Sequence, residues 1–187
     1  MGTSIAGHLS PAEVAQAQAI GSSMAALGNL SGGPARGFVF FAAFDGTNND
    51  RTNLPLSGSP YPTNVANLYD QAVDASKTNP NLEARYYPGV GTGGQNGTLV
   101  NAAVSPTPAI HYAAEQALAH FAEQASKYLQ GNPDATYADL SASAVGFSRG
   151  SATAVVFAQL LNERGLVLPD GTVVAPPGVA VIGLGLI

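Results

Sequence analysis

Leu140-Ser-Ala-Ser-Ala-Val145 runs directly into Gly146-Phe147-Ser148-Arg149-Gly150, and a helical pattern then continues from Arg149 to Arg164. A short run of small and apolar residues, a G-x-S-x-G pentapeptide and a helix are together the sequence form of a strand–turn–helix. That context gives the pentapeptide its meaning. In such a turn the serine projects above the strand ends, and the flanking glycines let strand and helix approach closely. A serine hydroxyl is a poor nucleophile unless a base and an oxyanion hole act on it. Ser148 is therefore the candidate nucleophile, and the backbone N–H of Arg149 the first candidate oxyanion donor. The competing reading is a glycine-flanked turn in which Ser148 merely caps the helix.

Working outward, Gly37-Phe-Val-Phe-Phe-Ala-Ala-Phe44 is continuously apolar, as expected of a strand covered on both faces. It enters the polar turn Asp45–Asp50, and a Pro- and Ser-rich loop follows to Pro62. Thr63 or Asn64 can cap a helix carrying Val65, Leu68, Ala72 and Val73 on one face. Glu83–Tyr87 reads as a strand, with Tyr86 and Tyr87 alternating between core and rim, and Pro88–Gly97 as a glycine-rich loop. Residues 109–129 form an amphipathic helix with Ile110, Ala114, Leu118, Phe121, Ala125 and Tyr128 in one stripe. Residues 178–187 read as a last apolar strand. Strands alternating with helices predict a mostly parallel α/β sheet with helices on both faces, of the α/β-hydrolase kind. The core domain is expected over 37–187. Residues 1–36, with a helix start at Ser10-Pro11 and a Gly32-Gly33-Pro34 linker, read as an N-terminal helical appendage.

Composition narrows the function. Hydrophobic residues make up 45% and charged residues 10%, which describes a buried globular core and argues against disorder. With a net charge of -5 and seven Lys and Arg, the chain lacks the basic stripe that a nucleic-acid partner requires. The absence of Cys excludes disulfides, thiolate metal sites and a cysteine nucleophile. No apolar run approaches the length of a membrane span, and no secretory signal pattern opens the chain.

Four motifs share an order with a known family: Phe44-Asp-Gly-Thr-Asn48, Thr63-Asn-Val65 with Leu68, Tyr86-Tyr-Pro-Gly-Val-Gly-Thr92, and Gly146-Phe-Ser-Arg-Gly150. Over residues 38–187 the chain resembles the α/β-hydrolase domain of bacterial type VI secretion phospholipase effectors. The resemblance implies a lipid-ester hydrolase and antibacterial toxin acting through Ser148. Its implied substrate is a phospholipid or another ester at a target-cell membrane, and a cognate immunity protein is an implied partner. It implies synthesis in a bacterial cytoplasm without a signal peptide and export by a type VI route. It also places the Asp45-Gly46-Thr47 loop beside the active site, with Gly46 or Thr47 supplying the second oxyanion N–H. Gly89 and Gly91 then lie in a flexible rim loop.

The usual order in this fold is Ser, then Asp or Glu, then His. After Ser148 the chain has Glu163 and Asp170 but no His. In the resembled family the acid follows the next core strand and the His comes much later, so residues 37–187 are expected to be the N-terminal part of the domain. Alone they are expected to be inactive. Glu163 reads as helix surface and Asp170 as part of the Pro169-Asp-Gly171 turn. His111, placed to pair with Glu115, and His120 read as surface helix residues, and His8 falls in the appendage. A non-catalytic interaction or structural module built on the same scaffold is the alternative function.

Three further signals are weaker. Gly89-x-Gly91-x-x-Gly94 formally fits a dinucleotide fingerprint, but no helix opens directly after it to meet a pyrophosphate. No cofactor or metal is expected. Asp45, Asn48, Asn49 and Asp50 miss the ligand spacing of an EF-hand, although a calcium ion shared with residues beyond this chain stays open. Arg149 has three open readings: a helix-surface charge, a contact for an anionic substrate, or an internal salt-bridge partner.

Overall fold

The seven-residue apolar run that opens the core becomes the centre of a parallel sheet. The computed structural model describes residues 37–97 and 105–187, and residues 37–187 form one compact unit. The expected appendage over 1–36, including His8 and the helix start at Ser10, lies outside the described residues.

Four strands, β1 (Phe38–Phe44), β2 (Leu82–Tyr87), β3 (Leu140–Gly146) and β6 (Ala180–Leu186), form a sheet in the order β2-β1-β3-β6. All of its pairings are parallel. Three helices, α1 (Asn64–Ser76), α2 (Thr107–Gly131) and α3 (Arg149–Arg164), supply the layers. Because strand side chains alternate between faces, Phe38, Phe40, Ala42 and Phe44 of β1 pack into one core with α2 and α3. Phe41 and Ala43 join Val65, Leu68 and Tyr69 of α1 on the other face. Helices therefore cover both faces. The larger core is aromatic, with Phe40 stacked on Phe121 at 5.0 Å and Phe44 tilted against Phe157 at 5.8 Å.

Local chemistry accounts for the helix ends. Thr63 caps α1 by accepting the Ala66 N–H at 3.1 Å. Helix α2 starts at Thr107, two residues earlier than its apolar stripe suggests, because Pro108 is tolerated in a first turn whose N–H groups have no helical partner. Its buried face is also wider than one stripe. Ala113, Ala117 and Ala122 are buried beside the expected residues, since α2 packs against both the sheet and α3.

One element is additional to the sequence reading. Residues Leu166–Val167 (β4) and Val173–Ala175 (β5) pair antiparallel around the Pro169–Gly171 turn. Strand β6 lies at the sheet edge with Ile182, Leu184 and Leu186 exposed. No described helix is long and apolar enough to cross a membrane.

Candidate active site

The parallel sheet carries the C-terminal ends of β1, β2 and β3 to one rim, where the three signal-bearing loops meet. At the end of β3 only Phe147 and Ser148 separate strand from helix. Ser148 has φ 54° and ψ −121°, one of two non-glycine residues with positive φ among those described. Such a conformation costs a residue with a Cβ on the order of 1–3 kcal/mol and persists only where its surroundings impose it. Here they do. The Ser148 N–H donates to the Ile187 carbonyl at 2.9 Å, and its own carbonyl accepts from Ser151 at 3.0 Å.

Both glycines of the pentapeptide are required by contact. A Cβ on Gly146 would lie 2.3 Å from the Gly150 carbonyl oxygen, and one on Gly150 would lie 2.2 Å from that of Phe44. Ser148 occupies the N-cap position of α3 but its hydroxyl caps nothing. Ser148 is exposed, and its hydroxyl has no hydrogen-bond partner among the described residues. The capping-serine reading does not describe this turn.

The loop after β1 is anchored by a carboxylate. Asp45 is only 2% exposed. Its Oδ1 accepts the Gly46 N–H at 2.7 Å, and its Oδ2 accepts the Thr63 hydroxyl at 2.7 Å and the Tyr86 hydroxyl at 2.6 Å. One buried acid thus joins the end of β1, the cap of α1 and the end of β2. Burial and the bond to this carboxylate push the Tyr86 phenol well above its ordinary pKa of 10.0, so it stays a donor. Neither Tyr86 nor Thr63 stood out in the sequence as a site residue. The signal was the Tyr86–Tyr87 pair, which a strand must send to opposite faces: Tyr87 enters the core and Tyr86 reaches Asp45.

This anchoring separates the two second-donor candidates. The Gly46 N–H is engaged by Asp45, whereas the Thr47 N–H meets no acceptor among the described residues. The same holds for the Arg149 N–H at the open first turn of α3. The two loops touch. Arg149 Nη1 donates to Thr47 Oγ1 at 2.9 Å. A Cβ on Gly46 would lie 2.4 Å from the Phe147 ring.

The Gly89 loop is bound to the same unit. Gly89 N–H donates to Asn49 O at 2.9 Å, Asn48 N–H donates to Val90 O at 2.8 Å, and a Cβ on Gly89 would fall 1.6 Å from Gly46 O. The start of the expected flexible rim loop is therefore hydrogen-bonded to the loop after β1. Beyond it, Gly91 N–H donates to Asn96 O at 2.8 Å. A three-residue 3-10 turn, Gly94–Asn96, follows among the described residues. Asn48 and Asn49 donate to the Leu56 and Thr47 carbonyls, and Asp50 accepts from the Thr52 N–H and hydroxyl. Among the described residues no three His, Asp or Glu side chains converge as a metal site.

No His or carboxylate hydrogen-bonds Ser148 among the described residues. Glu163 accepts from Gln159 on exposed helix surface. The Thr172 N–H, bonded to Asp170, holds that exposed carboxyl below its ordinary pKa and fixes the hairpin turn. Two histidine readings need correction. His120 is not a free surface residue: its Nδ1 lies 3.0 Å from the Tyr87 hydroxyl and its ring stacks on Tyr87. Glu115 pairs with Arg164 across to α3 rather than with the exposed His111.

The family model described as "T6SS, Phospholipase effector Tle1-like, catalytic domain" matches residues 39–176, which include all three loops. No curated protein and no solved structure gives a significant match.

Proposed function

The chain belongs to the family of type VI secretion, Tle1-like phospholipase effector catalytic domains, and from that premise we propose that it is a serine-dependent lipid-ester hydrolase with Ser148 as nucleophile. The observation that carries this reading is the state of Ser148. It is a strained, exposed serine whose hydroxyl has no partner, at a turn flanked by two unengaged backbone N–H groups.

In the proposed reaction, Ser148 Oγ attacks the ester carbonyl and forms a tetrahedral intermediate. The Arg149 and Thr47 N–H groups donate to its oxyanion. Collapse expels the lipid alcohol and leaves an acyl-enzyme, which water then hydrolyses. Each oxyanion donor of this kind contributes on the order of a hundredfold to a thousandfold in kcat. Asp45 positions the second donor: by engaging Gly46 it leaves the next N–H, that of Thr47, unengaged. A general base takes the Ser148 proton and passes it to the departing alcohol; no described His or carboxylate hydrogen-bonds Ser148, and the described residues supply the nucleophile and the two oxyanion donors.

Delivery into a target cell, action on its membrane lipids and neutralisation by a cognate immunity protein are proposals that rest on family membership alone. Fatty-acid release from phospholipid vesicles, beside hydrolysis of a soluble short-chain ester, tests the enzymatic part. Both activities should disappear in Ser148→Ala. Turnover that survives this substitution would reject the assignment.

A further inference from the structure

Of the six cations in the described residues, four are neutralised by carboxylates: Arg51 by Asp70, Lys77 by Asp74, Arg85 by Glu83 and Arg164 by Glu115. Lys127 is exposed on α2. Arg149 differs from all of these. It is half-buried, directly follows Ser148, and has no ion pair among the described residues.

The acids of the neighbouring loop form no ion pair with it. Both Asp45 oxygens are taken by Gly46, Thr63 and Tyr86, and Asp50 is bonded to Thr52. The one contact of the guanidinium is Nη1 to Thr47 Oγ1, which fixes the head group across the mouth of the site. Its other N–H groups meet no protein acceptor among the described residues. A guanidinium carries five donors in a rigid fork suited to phosphate oxygens. Partial burial without a counter-ion is unfavourable for it, so an anion that completes the pairing binds with advantage.

We infer that Arg149 is a specificity-determining residue that recognises the phosphodiester of a glycerophospholipid whose acyl ester lies at Ser148. The inference rests on the Ser148 reading above. Its main chain and side chain then divide the work. The Arg149 N–H faces the reacting carbonyl, and the side chain reaches past it to the phosphate, so that phospholipids are favoured over neutral glycerides. The anchor on Thr47 means that the charge is already in place before substrate arrives, which lowers the ordering cost of binding.

The test is a binding titration on the Ser148→Ala protein, so that no probe is turned over. The probes are dihexanoyl phosphatidylglycerol, dihexanoylglycerol and inorganic phosphate, with Arg149→Gln and Arg149→Lys made in the same background. Losing a charged hydrogen-bond partner should weaken phosphatidylglycerol about tenfold to a hundredfold in Arg149→Gln. Arg149→Lys should retain part of the affinity, and dihexanoylglycerol binding should fall far less than phosphatidylglycerol binding in both. Inorganic phosphate should bind far more weakly than the phospholipid. Equal losses for both lipids, or no loss for either, would overturn the inference. Phosphate binding as tight as the phospholipid would replace the lipid headgroup with free phosphate as the ligand. Covalent labelling of Ser148 in the parent protein reports on the nucleophile independently, so either claim can fail while the other stands.

Discussion

The Tyr86 hydroxyl donates to the Asp45 carboxylate at 2.6 Å, and this bond ties the end of β2 to the loop that follows β1. Asp45 also holds Thr63 and the Gly46 N–H, so losing the acid should do more damage than losing one donor. Tyr86→Phe should cost about 1–3 kcal/mol in denaturant unfolding, the usual price of an under-satisfied buried acceptor. Asp45→Ala should cost more and should slow ester turnover up to about a hundredfold as the Thr47 N–H loses its setting. Equal stability of Tyr86→Phe and the parent would count against the clamp.

Tyr86 and Tyr87 should resist alkali together. Burial raises both phenols above the ordinary 10.0, and the Asp45 carboxylate adds to the effect at Tyr86. The raised folded pKa means that their contribution to stability is complete below about pH 10, where the unfolded phenols begin to ionise. It is lost as pH climbs from there towards the folded values. Tyrosinate absorbance should show Tyr86 and Tyr87 ionising only as the protein unfolds. The pair Tyr86→Phe and Tyr87→Phe should remove that late step.

The glycines of the nucleophile turn differ from glycines elsewhere by contact rather than by composition. Gly146→Ala and Gly150→Ala each drive a methyl group into backbone at 2.2–2.3 Å, and should each destabilise by about 1–3 kcal/mol. Gly131 ends α2 with nothing within 4 Å of a built Cβ. Gly131→Ala should be neutral or slightly stabilising. Thermal melts of the three variants give the ranking, and a damaging Gly131→Ala would show that the contacts are not the cause.

Strain at Ser148 predicts an asymmetry between two substitutions that both remove the hydroxyl. Ser148→Ala keeps the Cβ at φ 54°, whereas Ser148→Gly relieves it. The glycine variant should be more stable than the alanine variant by about 1 kcal/mol, because glycine adopts positive φ freely. Equal melting temperatures would mean that the turn holds no strain.

Most of the fold was legible because its signals were local and redundant. The strand–turn–helix at Ser148 was marked by two glycines and a change of period, and α3 begins and ends at Arg149 and Arg164 as read. The apolar run at Phe38–Phe44 announced a strand buried on both faces. What escaped the reading depended on partners distant in sequence. Asp45 looked like one polar residue in a polar turn, and nothing local linked it to Thr63 or Tyr86, 18 and 41 residues away. His120 fell outside the apolar stripe, and its place against Tyr87 followed only from how α2 packs on the sheet. The β4–β5 hairpin, with strands of two and three residues, is too short for periodicity to register.

The central claim is that Ser148 is the nucleophile, and covalent labelling tests it most directly. The protein is treated with a fluorophosphonate probe, and the adduct is located by peptide mass spectrometry. The account predicts one adduct, on the peptide that contains Gly146–Gly150, and none in Ser148→Ala. An adduct on any other residue, undiminished labelling of Ser148→Ala, or no adduct at all would contradict it.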